Sequence, residues 1–339
     1  GEATEGYEAC RTLLKQRYNA NYAVITSGTT EAINLVAHAW GEHNLAAGDV
    51  VVLTEMEHHS DIVPWQMLAE RTSIELRFVP FTDGELDLEA FKIALEGAKL
   101  VCVVHTSNVL GIRNPVEEII AMSQTVGAKV LLDAAQAVPH ELIDFKQIGA
   151  DFMAFSAHKM CGPTGVGILY GKEKWLQELP PYQGGGEMIK EVSFEKTTYA
   201  DLPHKFEAGT PNIAGGIAFG AAIDYLNSIG LKKIATYENE LLNYATKELT
   251  KIDGVKIYGT SSNKTAVISF NIENIHPYDV GTIIDKLGIE VRTGQHCTQP
   301  IMDFYKITGT IRASFAFYNT KQEINVFIEA IKRAKMMLS

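Results

Sequence analysis

The chain has 339 residues, 46% of them hydrophobic and 21% charged, enough for a large domain with a smaller one beside it; a disordered or fibrous chain is excluded. No apolar run approaches the roughly 18 residues of a membrane span. Against 41 acidic residues stand 30 basic ones, a net charge of -11, which argues against nucleic acid as the main partner.

In chain order, residues 2 to 18 follow helical spacing with no cap or breaker ahead of them, as if the chain began mid-protein. They have neither the basic nor the apolar region of a signal peptide, so a cytoplasmic protein is expected. Seven short apolar runs follow: Tyr22 to Ile25, Val50 to Leu53, Leu76 to Val79, Leu100 to Val104, Val130 to Leu132, Phe152 to Phe155 and Gly167 to Tyr170. Their hydrophobicity is continuous rather than alternating, the pattern of strands covered on both faces. Between the first two, Ile33, Val36, Ala37 and Trp40 form the stripe of a helix packing on that sheet. The expected architecture is α/β, with helices on both faces of a mostly parallel sheet.

From Gly184 to Pro211 the chain is rich in glycine and polar residues and reads as an irregular functional loop. A long helix on Ile234, Tyr237, Leu241 and Ala245 comes next, then strands near Val255, Ala266 and Ile289. The final helix is signalled by a capping box, Thr320 with Glu323, and by the stripe Ile324, Phe327, Ile328 and Ile331.

Two residues that end apolar runs suggest the chemistry. A pyridine ring used as an electron sink needs a carboxylate on its ring nitrogen and a lysine amine for its aldehyde, and Asp133 and Lys159 supply both. Their separation accommodates one crossover of a parallel sheet, so both fall at strand carboxyl ends on one edge. Either residue alone reads as easily as a loop cap or a surface lysine. Ser27-Gly-Thr-Thr30 opens a helix and can receive a phosphate, or serve as a plain cap. Glu57-His58-His59 and Asn108 fall on the same edge; an imidazole can stack on the ring and an amide can bond a ring hydroxyl. One of the two histidines is expected to be structural.

Four cysteines, Cys10, Cys102, Cys161 and Cys297, show no CxxC spacing, so free thiols and no metal site are expected. Cys297 lies beside His296 and Arg292, where neighbouring positive charge favours a nucleophilic thiolate. Cys102 reads as core and Cys161 as local packing. Arg312 can hold a carboxylate by a bidentate pair, or belong to a buried ion pair.

Taken together, Ser27-Gly-Thr-Thr-Glu-Ala-Ile-Asn34, Glu57-His-His59, Val63-Pro-Trp-Gln66, Ser107-Asn-Val-Leu-Gly111, Asp133-Ala-Ala-Gln136, His158-Lys159, Gly162-Pro-Thr-Gly165, Phe206-Glu-Ala-Gly-Thr-Pro-Asn212 and Arg292-Thr-Gly-Gln-His-Cys297 resemble the Suf-type cysteine desulfurases. These are pyridoxal-phosphate enzymes of fold type I in the class V aminotransferase group. The resemblance runs along the whole chain. It implies a seven-stranded, mostly parallel sheet sandwiched by helices in a cofactor domain over residues 1–225, and a smaller C-terminal α/β domain over 226–339 carrying the cysteine loop.

It also implies roles. Lys159 would hold the cofactor and take the substrate's α-proton, Asp133 would hold the ring nitrogen and His58 would stack on the ring. Asn108 and Gln136 would meet the ring hydroxyl. Thr29, Thr30, Ser156 and His158 would bind the phosphate, with Thr210 arriving from a second subunit of a homodimer. Arg312, with Asn108 and Arg292, would bind the substrate L-cysteine. Cys297 would take its sulfur as a persulfide, leaving L-alanine, and pass it to a small acceptor protein of the SufE or SufU kind for iron-sulfur cluster assembly. Two other readings stay open. One is a selenocysteine lyase on the same fold. The other is an N-terminally truncated form with little turnover, acting as a scaffold or binding partner.

Overall fold

The computed structural model describes residues 1–339. Seven strands form the main sheet: β1 (Val24–Thr26), β2 (Val50–Thr54), β3 (Glu75–Val79), β4 (Ala98–Val104), β5 (Lys129–Asp133), β6 (Phe152–Ser156) and β7 (Gly167–Gly171). They lie in the order β1-β7-β6-β5-β4-β2-β3. Neighbours from β3 to β6 pair in parallel, whereas β7 is antiparallel to both β6 and β1. Six strands therefore point one way, and the mostly parallel sheet expected from the continuous apolar runs is present. The chain turns back between β2 and β4, and a ligand crevice belongs at such a switch point.

Side chains alternate between the two faces as the pleat requires. Val50, Val52, Val101, Val103, Val130 and Leu132 pack on one face in a cluster that includes Leu14 of α1 (Glu2–Arg17) and Tyr18 just after it, Phe91 of α5 (Leu88–Ala94), Ile119 of α6 (Val116–Thr125) and Phe219 of α9 (Ile213–Ile229). Val51, Leu53, Leu100, Cys102 and Leu131 face the other way, onto Ile33 of α2 (Thr29–Leu35), Trp65 and Leu68 of α4 (Val63–Thr72) and Leu176 of α8 (Glu173–Glu178). Both faces are dry, which is why Val50–Leu53 of β2 and Val130–Leu132 of β5 are unbroken apolar runs. The stripe Ile33, Val36, Ala37 and Trp40 is buried as expected, but α2 continues as a π-helical stretch over Val36–Gly41. Gly41 lets that turn press onto α4, since a Cβ there would meet the Leu68 side chain at 2.8 Å. The short helices α3 (Glu42–Asn44) and α7 (Phe145–Ile148) complete this layer structure.

Beyond α9, the helix α10 (Leu231–Leu249) bridges two cores. Ile234 belongs with the main sheet, and Leu241, Leu242 and Ala245 belong to a separate cluster. That second core lies under an antiparallel sheet, ordered β10-β11-β13-β12, of β10 (Val255–Tyr258), β11 (Val267–Ile272), β12 (Arg292–Gly294) and β13 (Thr310–Ser314), covered by α11 (Pro277–Asp285) and α13 (Lys321–Leu338). The capping box of α13 is formed, with the Glu323 amide donating to Thr320 Oγ1 at 3.2 Å and the Thr320 amide donating to Glu323 at 2.7 Å.

Three sequence expectations shift. The strand expected near Ile289 is β12, which starts three residues later, and β13 was not anticipated at all. The connection from Gly184 to Pro211 is not wholly irregular, because Ile189–Val192 and Thr197–Tyr199 pair as the antiparallel hairpin β8 and β9. Its residues are mostly exposed, so no apolar run marked it. No helix is long and apolar enough to cross a membrane.

Candidate active site

The carboxyl ends of β2, β4, β5 and β6 open onto one cavity of about 280 Å³. It is lined by Thr29, Thr30, His58, Ser60, Val104, Asn108, Asp133, Ala135, Gln136, Ser156, His158, Lys159, Arg292 and Arg312. Eleven residues proposed from sequence meet there, and two do not line it. Thr210 is exposed ahead of α9, and Cys297 is half-buried on the loop between β12 and α12 (Gln299–Tyr305). Ser60, Val104 and Ala135 were missed because nothing in their spacing distinguishes them from neighbouring loop and strand residues.

Asp133 ends β5, and its Oδ1 accepts the Ala135 amide N–H at 3.0 Å. Burial pushes this carboxyl up, while the nearby Lys159 charge and the Ala135 amide oppose that. Lys159 ends a short 3-10 turn directly after β6. Burial lowers its amine, Asp133 works the other way, and Arg312 and Arg292 add to the lowering. A buried acid thus faces a buried amine across one cavity, each shifted toward its neutral form by loss of water.

At one end the Thr29 amide N–H donates to Ser156 Oγ at 2.8 Å, and the Thr29 and Ser156 hydroxyls lie 2.5 Å apart. The close approach depends on Gly167. A Cβ there would sit 2.4–2.7 Å from the Gly28 backbone. His58 is pushed down to about 4 by burial first, then by Lys159, His59 and Arg292, so it is a neutral ring at neutral pH. Its Nδ1 lies 2.8 Å from Ser60 Oγ and accepts the Ser60 amide N–H at 3.1 Å.

At the other end Arg292 and Arg312 are direct partners across β12 and β13. Like charges opposite each other repel; Arg312 is lowered to about 10, by burial first and then by Arg292. Its Nη1 donates to the Asn108 carbonyl at 3.0 Å, and its Nε is buried with no partner. The Asn108 Oδ1 is likewise buried and unpartnered, while its Nδ2 donates to the His296 carbonyl at 2.8 Å. The donor set fits a phosphorylated pyridine bearing an amino acid. Asp133 offers a carboxylate for a ring nitrogen, Asn108 an orphan acceptor for a ring hydroxyl, and the arginine pair a site for a carboxylate.

Cys297 lies 3.7 Å from Arg292 Nη2, the positive neighbour expected from sequence. His296 turns the other way. It is 2% exposed, its Nε2 pairs with Thr310 Oγ1 at 2.8 Å, and burial with Arg312 and Arg292 lowers it to about 4. The positive charge beside the thiol is therefore Arg292 alone of the two. Both His296 and Cys297 hold left-handed backbone, φ 56° and 60°, a conformation that persists only where surroundings enforce it. Cys102 is fully buried in β4 as expected. Cys161 is exposed rather than packed.

Two neighbouring carboxyls add to the site: Glu57, placed on this edge by its motif but given no role from sequence, and Asp61, which no motif marks. Glu57 and Asp61 are both 0% exposed, and each keeps one oxygen without a partner. Their four-residue spacing beside apolar residues was the only available signal.

The aminotransferase class-V family model matches residues 1–327. A probable cysteine desulfurase of Xylella fastidiosa (strain 9a5c) is 48% identical over 341 residues, covering 99% of this chain and 82% of that protein. One of Synechocystis sp. (strain ATCC 27184 / PCC 6803 / Kazusa) is 49% identical, covering 97% and 80%. Among solved structures, an apo cysteine desulfurase from Thermococcus onnurineus NA1 superposes with a TM-score of 0.96 at 39% identity, covering 99% of this chain and 85% of that one. With its fold, its cavity and these relatives in agreement, the chain belongs to the aminotransferase class-V family.

Proposed function

We propose that this chain is a pyridoxal-phosphate-dependent cysteine desulfurase of the Suf type, converting L-cysteine to L-alanine and keeping the sulfur as a persulfide on Cys297. The observation that carries the reading is one cavity in which Asp133 and Lys159 face an arginine pair, with Cys297 beside Arg292 on its adjoining loop. When bound, pyridoxal phosphate supplies the electron sink that lets an amino acid lose its α-proton and release a β-substituent.

The residues divide the remaining work. Thr29, Thr30, Ser156 and His158 bind the phosphate, Asn108 and Gln136 bind the ring hydroxyl, and Asp133 holds the ring nitrogen. His58 covers the ring as a neutral imidazole. Arg312 takes the substrate carboxylate, and Arg292 with Asn108 flanks it. Lys159 Nζ carries the α-proton, which a buried amine with a lowered pKa does well near neutral pH. The Cys297 thiolate attacks the substrate sulfur: the S–S bond forms, the Cβ–S bond breaks with its electron pair left on the carbon side, and a proton there completes L-alanine.

The reading takes residues 1–225 as the cofactor domain and 226–339 as the domain bearing the cysteine loop. It includes a homodimer in which exposed Thr210 reaches the partner's phosphate site, a SufE- or SufU-like acceptor of the persulfide, and a role in iron-sulfur cluster assembly. Four unpaired cysteines suit the reducing cytoplasm.

Cys297→Ser tests the reading directly. The variant should keep the colour of bound cofactor and its borohydride trapping at Lys159, and lose sulfide release from L-cysteine. Undiminished sulfur release would remove Cys297 from its role.

A further inference from the structure

The two adjacent histidines after β2 contact different things. His58 lines the cavity, and His59 does not. Instead, His59 grips the cysteine loop immediately after the thiol. Its amide N–H donates to the Cys297 carbonyl at 2.9 Å, and its ring Nε2 accepts the Gln299 amide N–H at 3.0 Å. An acceptor at Nε2 places the ring proton on Nδ1. These two bonds bracket Thr298, the residue after Cys297, from the main-sheet side, more than two hundred residues away in sequence.

The loop needs such a hold. Its left-handed residues are adjacent, His296 and Cys297, and strained backbone of this kind persists only where neighbours over-determine it. The Asn108 bond to the His296 carbonyl and the Thr310 bond to the His296 ring fix the residue before the thiol. On the far side, Thr298 bonds back only within the loop, to the Gln295 carbonyl. The His59 ring is thus the side chain from the main-sheet domain that holds the backbone after Cys297.

The geometry points to His59 as a positioning residue for Cys297, holding the nucleophile loop in register with the ring that the adjacent His58 covers. Because one dipeptide faces the cofactor cavity with its first ring and braces the loop with its second, the distance from thiol to reacting sulfur is set by local backbone. Relative movement of the two cores then has little leverage on it. This inference rests on the desulfurase reading and deepens it.

The test uses the full-length holoenzyme. His59→Leu removes the acceptor and keeps the bulk, whereas His59→Gln keeps an acceptor near the Nε2 position; the amide bond to the Cys297 carbonyl survives in both. Three quantities are read: cofactor absorbance, exchange of the substrate α-proton in heavy water, and single-turnover persulfide formation on Cys297. In His59→Leu, absorbance and exchange should hold while persulfide formation falls by roughly 10–100-fold, the scale of an ångström-sized misplacement. His59→Gln should restore most of the rate. Alkylation of Cys297 by iodoacetamide, measured in a Cys161→Ser background, should change in the leucine variant and return toward wild type with glutamine.

Unchanged persulfide formation in His59→Leu overturns the inference. So does a glutamine variant as slow as the leucine one, or a parallel fall of exchange and persulfide formation. A wild-type holoenzyme that makes no persulfide from L-cysteine fails the desulfurase reading instead, and the alkylation comparison then judges the bracing of the loop by itself.

Discussion

Glu57 and Asp61 lie on the same turn that carries the two histidines, and their chemistry is set entirely by burial. Glu57 Oε1 accepts from Thr54 Oγ1 and from the Val104 amide, each at 2.8 Å, and Asp61 Oδ1 accepts the Trp65 indole N–H at 3.0 Å. Burial first, and then the Asp133 charge, pushes Asp61 up to about 8; burial with Asp61 pushes Glu57 well above the carboxylate range. Three carboxyls so close cannot all ionise, and the pair retains a proton. The folded-state pKa of Asp61 lies above its unfolded value of about 4, so its contribution to stability is present at low pH and is lost as pH rises from about 4 through 8. Asp61→Asn keeps the acceptor for Trp65 and removes the charge. Its unfolding free energy should exceed that of wild type by about 1–3 kcal/mol at pH 8, with the gap closing toward pH 4. Urea melts across that range check it, and parallel pH profiles for the two proteins would contradict the shared proton. At this scale much was legible: Asp133, Lys159, Cys297 and Arg292 each stood at a strand end or in a glycine-containing turn where their chemistry could be read. Asp61 was not, because its unusual proton affinity comes from side chains that surround it only in the folded chain.

At the level of elements, the cup we assign to the cofactor phosphate depends on a contact no motif announces. Ser156 at the end of β6 and Thr29 at the start of α2 meet only because β7 crosses directly beneath Gly28 at Gly167. A methyl group there must displace the loop before α2, an overpacking that costs about 1–3 kcal/mol. Gly167→Ala should keep the circular dichroism of the native fold while weakening pyridoxal phosphate binding roughly tenfold or more, read by absorbance titration. Cofactor affinity equal to wild type would mean that the loop yields without moving Thr29. The main-sheet strands were legible because each is an unbroken apolar run. The small sheet was harder: β12 has three residues and β13 carries Arg312 amid ordinary neighbours, so their pairing, which sets the two arginines opposite each other, left no periodic trace.

Over the whole molecule, the N-terminal helix is tied to the segment before α9 by a buried ion pair. Arg11 Nη1 and Nη2 donate to the two Glu207 oxygens at 2.6 and 3.0 Å, Nη1 also donates to the Ala23 carbonyl at 2.7 Å, and Glu207 in turn accepts the Ile25 amide at 2.8 Å. Around it α1 lies close on α9, where Gly216 admits the Tyr7 ring and Gly6 faces Ile217. Arg11→Met strands a buried carboxylate, and removing one partner of such a pair costs about 3–5 kcal/mol. Chemical denaturation should register that loss, and Arg11→Met with Glu207→Gln together should recover part of it. A double variant no more stable than the single one would refute the stranded charge.

The sequence alone determined the layered α/β fold, because apolar runs and helical stripes record burial on one face or two. It also determined the chemical inventory of the site, because strand ends on one sheet edge bring their residues together whatever the loops do. Tertiary structure decided how that inventory is tuned: which histidine covers the cavity and which braces the thiol, which arginine stands beside Cys297, and which carboxyls hold protons. Those outcomes depend on distance and loss of water between residues far apart in the chain, quantities that local pattern does not encode.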